Sequence, residues 1–278
     1  MASSRCLSVV IPAHNEAAVI ERCLRSLAVG AEEGLQLEVV VVANGCTDDT
    51  ADRARRAMPS ARVIELERPS KSEALNAGDD ICVALTRAYL DADVCVDHPA
   101  LAAVATALDD GGALCAAPRM AVELGDRPWY VRSFYRAFVA LPYVSDGLVG
   151  NGFYAISAEG RQRFDRFPDV TADDLFIRNL FAEHERAVVD DHHFWVHPPR
   201  RLAGLIAIRR RVYRGNEEYE EAGYRSAAAR TRSVSTLARV GLRHPLGIVV
   251  YLAVNLYARA TWRRHTVGWE RDDSGRTP

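Results

Sequence analysis

Three clusters of side chains in this chain have the types and spacing to do chemistry. In the first, the short apolar run Ala88-Tyr89-Leu90 ends in Asp91-Ala92-Asp93. At the C-terminal end of a strand in an open α/β sheet, carboxylates lie where such sheets bind ligands. Spacing of i, i+2 suits a hard divalent cation, Mg²⁺ or Mn²⁺, which takes one or two protein carboxylates and completes its shell with water and a diphosphate. A solvated turn explains the same residues, because Asp is common in turns. The second cluster is Thr171-Ala172-Asp173-Asp174-Leu175 at the start of an apolar helical pattern. Either Asp is a candidate general base, and either also serves as a cap or a charge complementing the helix dipole. The third is the group Arg200, Arg201, Arg209, Arg210, Arg211 and Arg214. Guanidinium groups match diphosphate oxygens in pairs and keep their charge, although any single arginine here also reads as a solvated face.

The elements that must position these clusters alternate in type. Leu7 to Ile11 is a continuous apolar, β-branched run stopped by Pro12, as in a central parallel strand. Glu16 to Leu27 follows at helical spacing, with Asn15 as its expected cap. Leu37 to Val42 repeats the strand, and Thr47 is the expected cap of a helix whose first turn holds Asp48 and Asp49. A third strand, Arg62 to Leu66, leads through Pro69-Ser70-Lys71 to a helical stretch from Ser72 to Leu85. Alternating units of this length predict an α/β fold with a mainly parallel sheet and helices on both faces. No G-x-G-x-x-G or G-x-x-x-x-G-K-[ST] falls at any of these turns, so neither a dinucleotide fold nor a P-loop is supported.

PAHNE at 12 to 16, ANGCTDDT at 43 to 50, KSEALNAG at 71 to 78 and DAD at 91 to 93 occur in the order and spacing of the family-two inverting glycosyltransferases, which this chain resembles. The resemblance implies a GT-A, Rossmann-like domain that moves a sugar from a nucleoside diphosphate (UDP-, GDP- or dTDP-sugar) to a hydroxyl of a glycan, a lipid-linked or a small-molecule acceptor. It implies Mg²⁺ or Mn²⁺ on Asp93 and Asp91. It further implies nucleotide contacts from Pro12, Ala13, His14, Glu16, Asn44, Lys71, Asn76, Asp91 and Ala92. Ala43-Asn44 stands where the family has an acidic pair. Gly150-Asn151-Gly152 corresponds to a loop beside the donor sugar and acceptor. Asp173 aligns with the family's base, with Asp174 as the substitute, and Arg211 and Arg214 align with a basic segment that closes on the pyrophosphate. His192, His193 and His197 are set aside as metal ligands, since the motifs already supply an oxygen site.

Later segments complete the layout. Pro99 to Leu108 reads as a helix and Ala113 to Pro118 as a returning strand. Trp129 to Leu141 is an amphipathic aromatic helix, read as packed rather than as an acceptor platform, and Tyr154 to Ser157 is a strand. The expected domains are 1–215, with a nucleotide-binding half to 97 and an acceptor-side half from 98, and a helical C-terminal extension, 216–278. Leu246 to Ala258 is almost wholly apolar but, at thirteen residues, too short to span a bilayer, which takes roughly twenty. It reads as an interfacial helix, for peripheral membrane contact or a homodimer through 244–264, with packing on its own domain as the alternative. The tail from Glu270 reads as mobile.

Bulk properties exclude little but point one way. A formal net charge of −2 gives no electrostatic case for nucleic acid as a partner. The N-terminus has no apolar core after a basic start, and six cysteines without CxxC spacing read as reduced thiols, so the expected location is the cytoplasm, at the inner membrane face if the C-terminal helix attaches there. Two other classes stay open: a nucleotidyltransferase, which is expected to carry a glycine-rich basic loop after the first strand, and a nucleotide-sugar-binding protein without turnover.

Overall fold

The structure, a computed structural model, describes residues 5–31, 34–110, 112–145, 151–224 and 234–264. In chain order its elements are β1 (Arg5–Ala13), α1 (Ile20–Ser26), β2 (Leu35–Asn44), α2 (Thr50–Ala57), β3 (Arg62–Leu66), α3 (Lys71–Ile81), β4 (Arg87–Leu90) and β5 (Cys95–Val96). Then come α4 (His98–Asp109), β6 (Cys115–Val122), α5 (Trp129–Val139), α6 (Pro142–Ser145), β7 (Phe153–Ile156) and α7 (Ala158–Arg161). The last are α8 (Asp173–Leu180), β8 (Arg186–Val196), α9 (Leu202–Glu221), α10 (Val234–Arg243) and α11 (Pro245–Thr261). Gly150 and the tail from Glu270 lie outside the described residues.

Contacts sort the chain into two compact units. The first is Met1–Ala121, Gly150–Asp169 and Leu180–Val196; the second is Val122–Val149, Val170–Asn179 and His197–Pro278. The sequence divides instead at 97 and 215. The segments interleave because β7 and β8, far along the chain, return to the first unit's sheet.

That sheet has eight strands in the order β3-β2-β1-β4-β7-β6-β8-β5. β3, β2, β1 and β4 are parallel, with Val9 opposite Val39 and Ala88. β7 runs antiparallel to β4 and β6, and β5 antiparallel to β8. The predicted parallel sheet is therefore the half formed by β3, β2, β1 and β4, and antiparallel pairings extend it.

Burial of both sheet faces explains the unbroken apolar runs. Val40 and Val42 pack on Ala74 of α3. Val39 and Val41, which alternation turns to the other face, are buried too. α3 lies so close that a Cβ on Gly78 would sit 2.5 Å from Val10 Cγ1, so a hydrogen is the only side chain this crossing admits.

Helix starts differ from those expected. Asn15 does not cap α1: its φ is +51°, and its Oδ1 accepts from Thr47 N at 2.6 Å. The chain first turns at Glu16, whose carbonyl accepts from Val19 N and Ile20 N, both at 2.9 Å. α2 likewise begins at Thr50 rather than after Thr47, with Asp48 Oδ1 accepting from Thr50 N at 3.1 Å. Short polar side chains compete locally with helical hydrogen bonds, and here loop-to-loop bonds take them. α3 starts one residue before the expected stretch, capped by Ser70 Oγ, which accepts from Glu73 N at 3.1 Å.

The second unit is helical. α11 packs on α5, with Tyr251 and Phe134 ring centroids 5.3 Å apart. The two helices approach closely enough that a Cβ on Gly247 would lie 2.6 Å from Ser133 O. α9 joins them through Arg209 Nε, which donates to Asn255 Oδ1 at 3.0 Å. Among the described residues no helix is long and apolar enough to cross a membrane.

Candidate active site

The nucleotide-side residues sit where three parallel strands end. Pro12 and Ala13 are the buried last residues of β1, and the turn proper is His14 to Glu16. His14 Nδ1 lies 2.6 Å from Asn44 O. Asn44, for which the resemblance implies a nucleoside contact, has a structural task in this fold. Its side chain is buried (1% exposed), its Nδ2 donates to Ala13 O at 2.9 Å, and its Oδ1 accepts from Ser70 N at 3.1 Å. One amide thus ties the ends of β1 and β2 to the cap of α3. Asn76 is likewise turned inward, donating to Phe167 O at 3.1 Å and accepting from Phe167 N at 2.8 Å. Burying an amide needs this kind of pairing, and an amide so paired is not presented to a ligand.

A second set of bonds locks the first two turns together. Glu16 N donates to Thr50 Oγ1 at 2.7 Å, Ala17 N to Asp48 Oδ2 at 3.3 Å, and Asn15 N to Cys46 Sγ at 3.3 Å. These braces, Asn15, Cys46, Asp48 and Thr50, were missed as a group. Their signal was present: ANGCTDDT is denser in small polar residues than a strand-to-helix turn needs.

At the end of β4, Asp91 is half-buried and Asp93 exposed, with buried Ala92 between them. Val94 N donates to Asp91 O at 3.0 Å, which makes the pair a tight turn. Lys71 Nζ, from the first residue of α3, stands 2.8 Å from Asp91 Oδ1. Arg22 Nη2 donates to Asp93 O at 3.3 Å. The loop before β7 closes on the same turn: Asp91 N donates to Gly152 O at 2.8 Å. Gly152 has φ +92°, and a Cβ there would come within 2.6 Å of Val94 Cγ2 and 3.2 Å of Asp91 Oδ2. Asn151 precedes it, half-buried.

Two adjacent carboxylates on a strand-end turn are the oxygen donor set a hard cation takes when substrate phosphates supply the rest. Among the described residues no three His, Cys, Asp or Glu side chains gather as a complete cage. The residues present therefore fit a cation shared with a diphosphate.

The second unit carries the other acidic pair. α8 opens at Asp173, which is 5% exposed. Asp174 Oδ1 accepts from Leu175 N at 2.6 Å. α9 holds this helix at both ends: Thr171 Oγ1 donates to Glu218 Oε2 at 2.5 Å, and Asn179 Nδ2 to Tyr219 OH at 3.0 Å. On α9, Arg211 is exposed and Arg214 half-buried, whereas Arg209 is buried on Asn255. The Thr171–Glu218 contact, which spacing in the sequence does not reveal, holds the start of α8 on α9.

The parallel strand order β3-β2-β1-β4, with an acidic turn at the end of β4, agrees with the Rossmann-like GT-A fold that the motif resemblance implies. The family model described as glycosyl transferase family 2 matches residues 8–170, more than half of the chain, and the chain belongs to that family. Among curated proteins it is similar to glucosyl-3-phosphoglycerate synthase of Mycobacterium tuberculosis (strain CDC 1551 / Oshkosh), 31% identical over 165 residues, covering 54% of this chain and 44% of the relative. The same enzyme of Mycobacterium bovis matches equally. The chain spans less than half the length of these curated relatives.

Among solved structures it resembles the M. tuberculosis glucosyl-3-phosphoglycerate synthase in complex with Mn²⁺, UDP-glucose and phosphoglyceric acid. The TM-score is 0.53 at 23% identity, over 80% of this chain and 81% of that one. The same enzyme with Mg²⁺ and UDP gives 0.54 at 23% identity, over 80% and 81%. These likenesses establish the shared fold.

Proposed function

We propose that this protein is an inverting glycosyltransferase that moves a sugar from a nucleoside diphosphate to a hydroxyl acceptor. The observation that carries it is the Lys71–Asp91–Asp93 turn at the end of β4 in a chain of this family. His14 and Glu16 contact the nucleoside, Lys71 the diphosphate, and Asp91 and Asp93 hold Mg²⁺ or Mn²⁺. Asn44 and Asn76 position these loops rather than touch the ligand. Gly150, Asn151 and Gly152 border the donor sugar. When bound, the cation supplies positive charge to the leaving diphosphate, and Arg211 and Arg214 add fixed charge of the same sign.

Asp173 accepts the acceptor's hydroxyl proton as that oxygen bonds to the anomeric carbon opposite the departing diphosphate, which inverts the configuration. Asp174 is the alternative base. UDP is the preferred donor nucleotide, because the similar synthase is known with UDP-glucose; GDP and dTDP donors are the other candidates. A small hydroxy acid phosphate of the kind seen with that synthase is the first acceptor to try. Six cysteines without CxxC spacing suit a reducing compartment, and we place the enzyme in the cytoplasm. Residues 244–264 serve attachment, to a surface or a second subunit, and take no part in the chemistry.

Incubation with UDP-glucose, Mn²⁺ and 3-phosphoglycerate, followed by proton NMR of the product, tests the reading. Metal-dependent UDP release with a product of inverted anomeric configuration is expected. Binding of UDP–Mn²⁺ without turnover on any hydroxyl acceptor would leave a non-catalytic nucleotide-sugar protein, and a retained configuration would remove the single displacement.

A further inference from the structure

α11 uses one face on its own unit: Gly247, Tyr251, Val254, Asn255 and Ala258 are buried against α5 and α9. The opposite face is apolar and bare. Leu246, Val249, Leu252, Leu256 and Tyr257 are 56%, 62%, 40%, 67% and 54% exposed, and Leu242 at the end of α10 is 87% exposed. At 100° per residue these α11 positions form one stripe along the helix. Soluble monomers rarely leave a contiguous apolar strip of this kind uncovered.

The charge around the stripe has one sign. Across the described residues 234–264 the sequence has five arginines and neither aspartate nor glutamate. Arg239, Arg243 and Arg259 are exposed. Of the neighbouring acidic residues on α9, Glu217 pairs with Arg263 and Glu218 holds Thr171. A second copy meeting this face about a two-fold axis would set the arginines of α10 and α11 against each other, with no carboxylate among the described residues of these helices to offset them. A surface that is both apolar and anionic satisfies both features. The stripe buries into the acyl boundary while the flanking guanidinium groups meet phosphates.

We infer that the α10–α11 face docks on an anionic phospholipid bilayer as an in-plane amphipathic element. This goes beyond the transferase reading and stands whether or not that reading holds. Flotation of the full chain with phosphatidylglycerol vesicles, against pure phosphatidylcholine vesicles, tests it. The protein is expected to float only with the anionic vesicles and to be released by high salt, as screening weakens the headgroup contacts. Val249→Glu with Leu256→Glu, and separately Arg243→Glu with Arg259→Glu, should each reduce bound protein by about tenfold or more. Both pairs alter exposed positions, and unchanged circular dichroism melts establish that the variants fold. No flotation of the wild type, flotation of either variant pair equal to that of the wild type, or a dimer in light scattering that Val249→Glu with Leu256→Glu splits would each overturn the proposal. The last outcome would show that a second copy covers the stripe.

Discussion

Lys71 Nζ and Asp91 Oδ1 stand 2.8 Å apart, with side chains only 21% and 29% exposed, so the ammonium occupies an oxygen that a cation would also use. In the site proposed above, a cation would compete with the lysine for Asp91 until a diphosphate takes the ammonium. Lys71→Met should bind Mn²⁺ alone more tightly than wild type. It should bind UDP with Mn²⁺ about ten- to a hundredfold more weakly, the value of one hydrogen bond to a charged group. Calorimetric titration of both ligands checks the pair of signs; a parallel change in both would refute the competition.

Asp93→Ala should abolish the Mn²⁺ dependence of UDP binding. Asp93 is exposed at the tip of the turn, so its loss should leave the melting temperature within about 1 °C of wild type, as for most surface substitutions. Unchanged affinity and metal dependence in the variant would move the cation site away from this turn.

Asp173→Asn keeps size and capping capacity while removing basicity. It should lower turnover by roughly a hundredfold or more with little change in donor affinity. Asp174→Asn should cost much less, since its carboxylate already accepts from Leu175 N. Steady-state kinetics of both variants decide between them, and a dead 174 variant beside an active 173 variant would shift the base by one residue.

Gly152→Ala should destabilise the first unit by about 1–3 kcal/mol, because a side chain at φ +92° is strained and its Cβ meets Val94. The same collision pushes on Asp91, so UDP–Mn²⁺ affinity should fall as well. Thermal melts and calorimetry read the two effects separately.

Glu38 gives a pH dependence with a definite sign. Burial opposes its ionisation most strongly, but Ser8, the amides of Val83 and Ala84, and Arg62 hydrogen-bond the carboxylate and together hold it below the ordinary glutamate value of 4.5. A carboxyl whose folded value is depressed stabilises the fold fully above 4.5 and loses that contribution as pH falls through its folded value. Glu38→Gln should therefore melt below wild type at pH 7, by about 1–3 kcal/mol, and the gap should close on acidification below 4.5. A gap that persists or widens there would rule out the linkage.

Much of this was legible in the sequence, and the failures share a cause. Strand Arg62–Leu66 has its predicted limits, and β1 and β2 contain the predicted runs, because a strand buried on both faces leaves an unbroken apolar signature. Helix starts were displaced at Asn15 and Thr47 because those side chains bond to each other's loops, a partner no local pattern encodes. Asn44 and Asn76 carry the same ambiguity: an amide facing a ligand and an amide pairing with backbone are the same letter. β8 went unnoticed since its exposed residues, among them Asp190, Asp191 and His193, read as loop. The interleaved units were invisible because the returning strands are read in chain order, while the sheet is ordered by hydrogen bonds.

The braces between the first two turns set the size of the smallest part that can be exchanged. Asn15 with Thr47, Glu16 with Thr50 and Ala17 with Asp48 make PAHNE and ANGCTDDT one hydrogen-bonded object, with Asn44 fastening it to the cap of α3. A graft that imports one turn from a relative leaves several backbone donors facing the wrong acceptors. On the proposed reading, engineering a new nucleoside preference means transplanting both turns and Ser70 together, as a cassette.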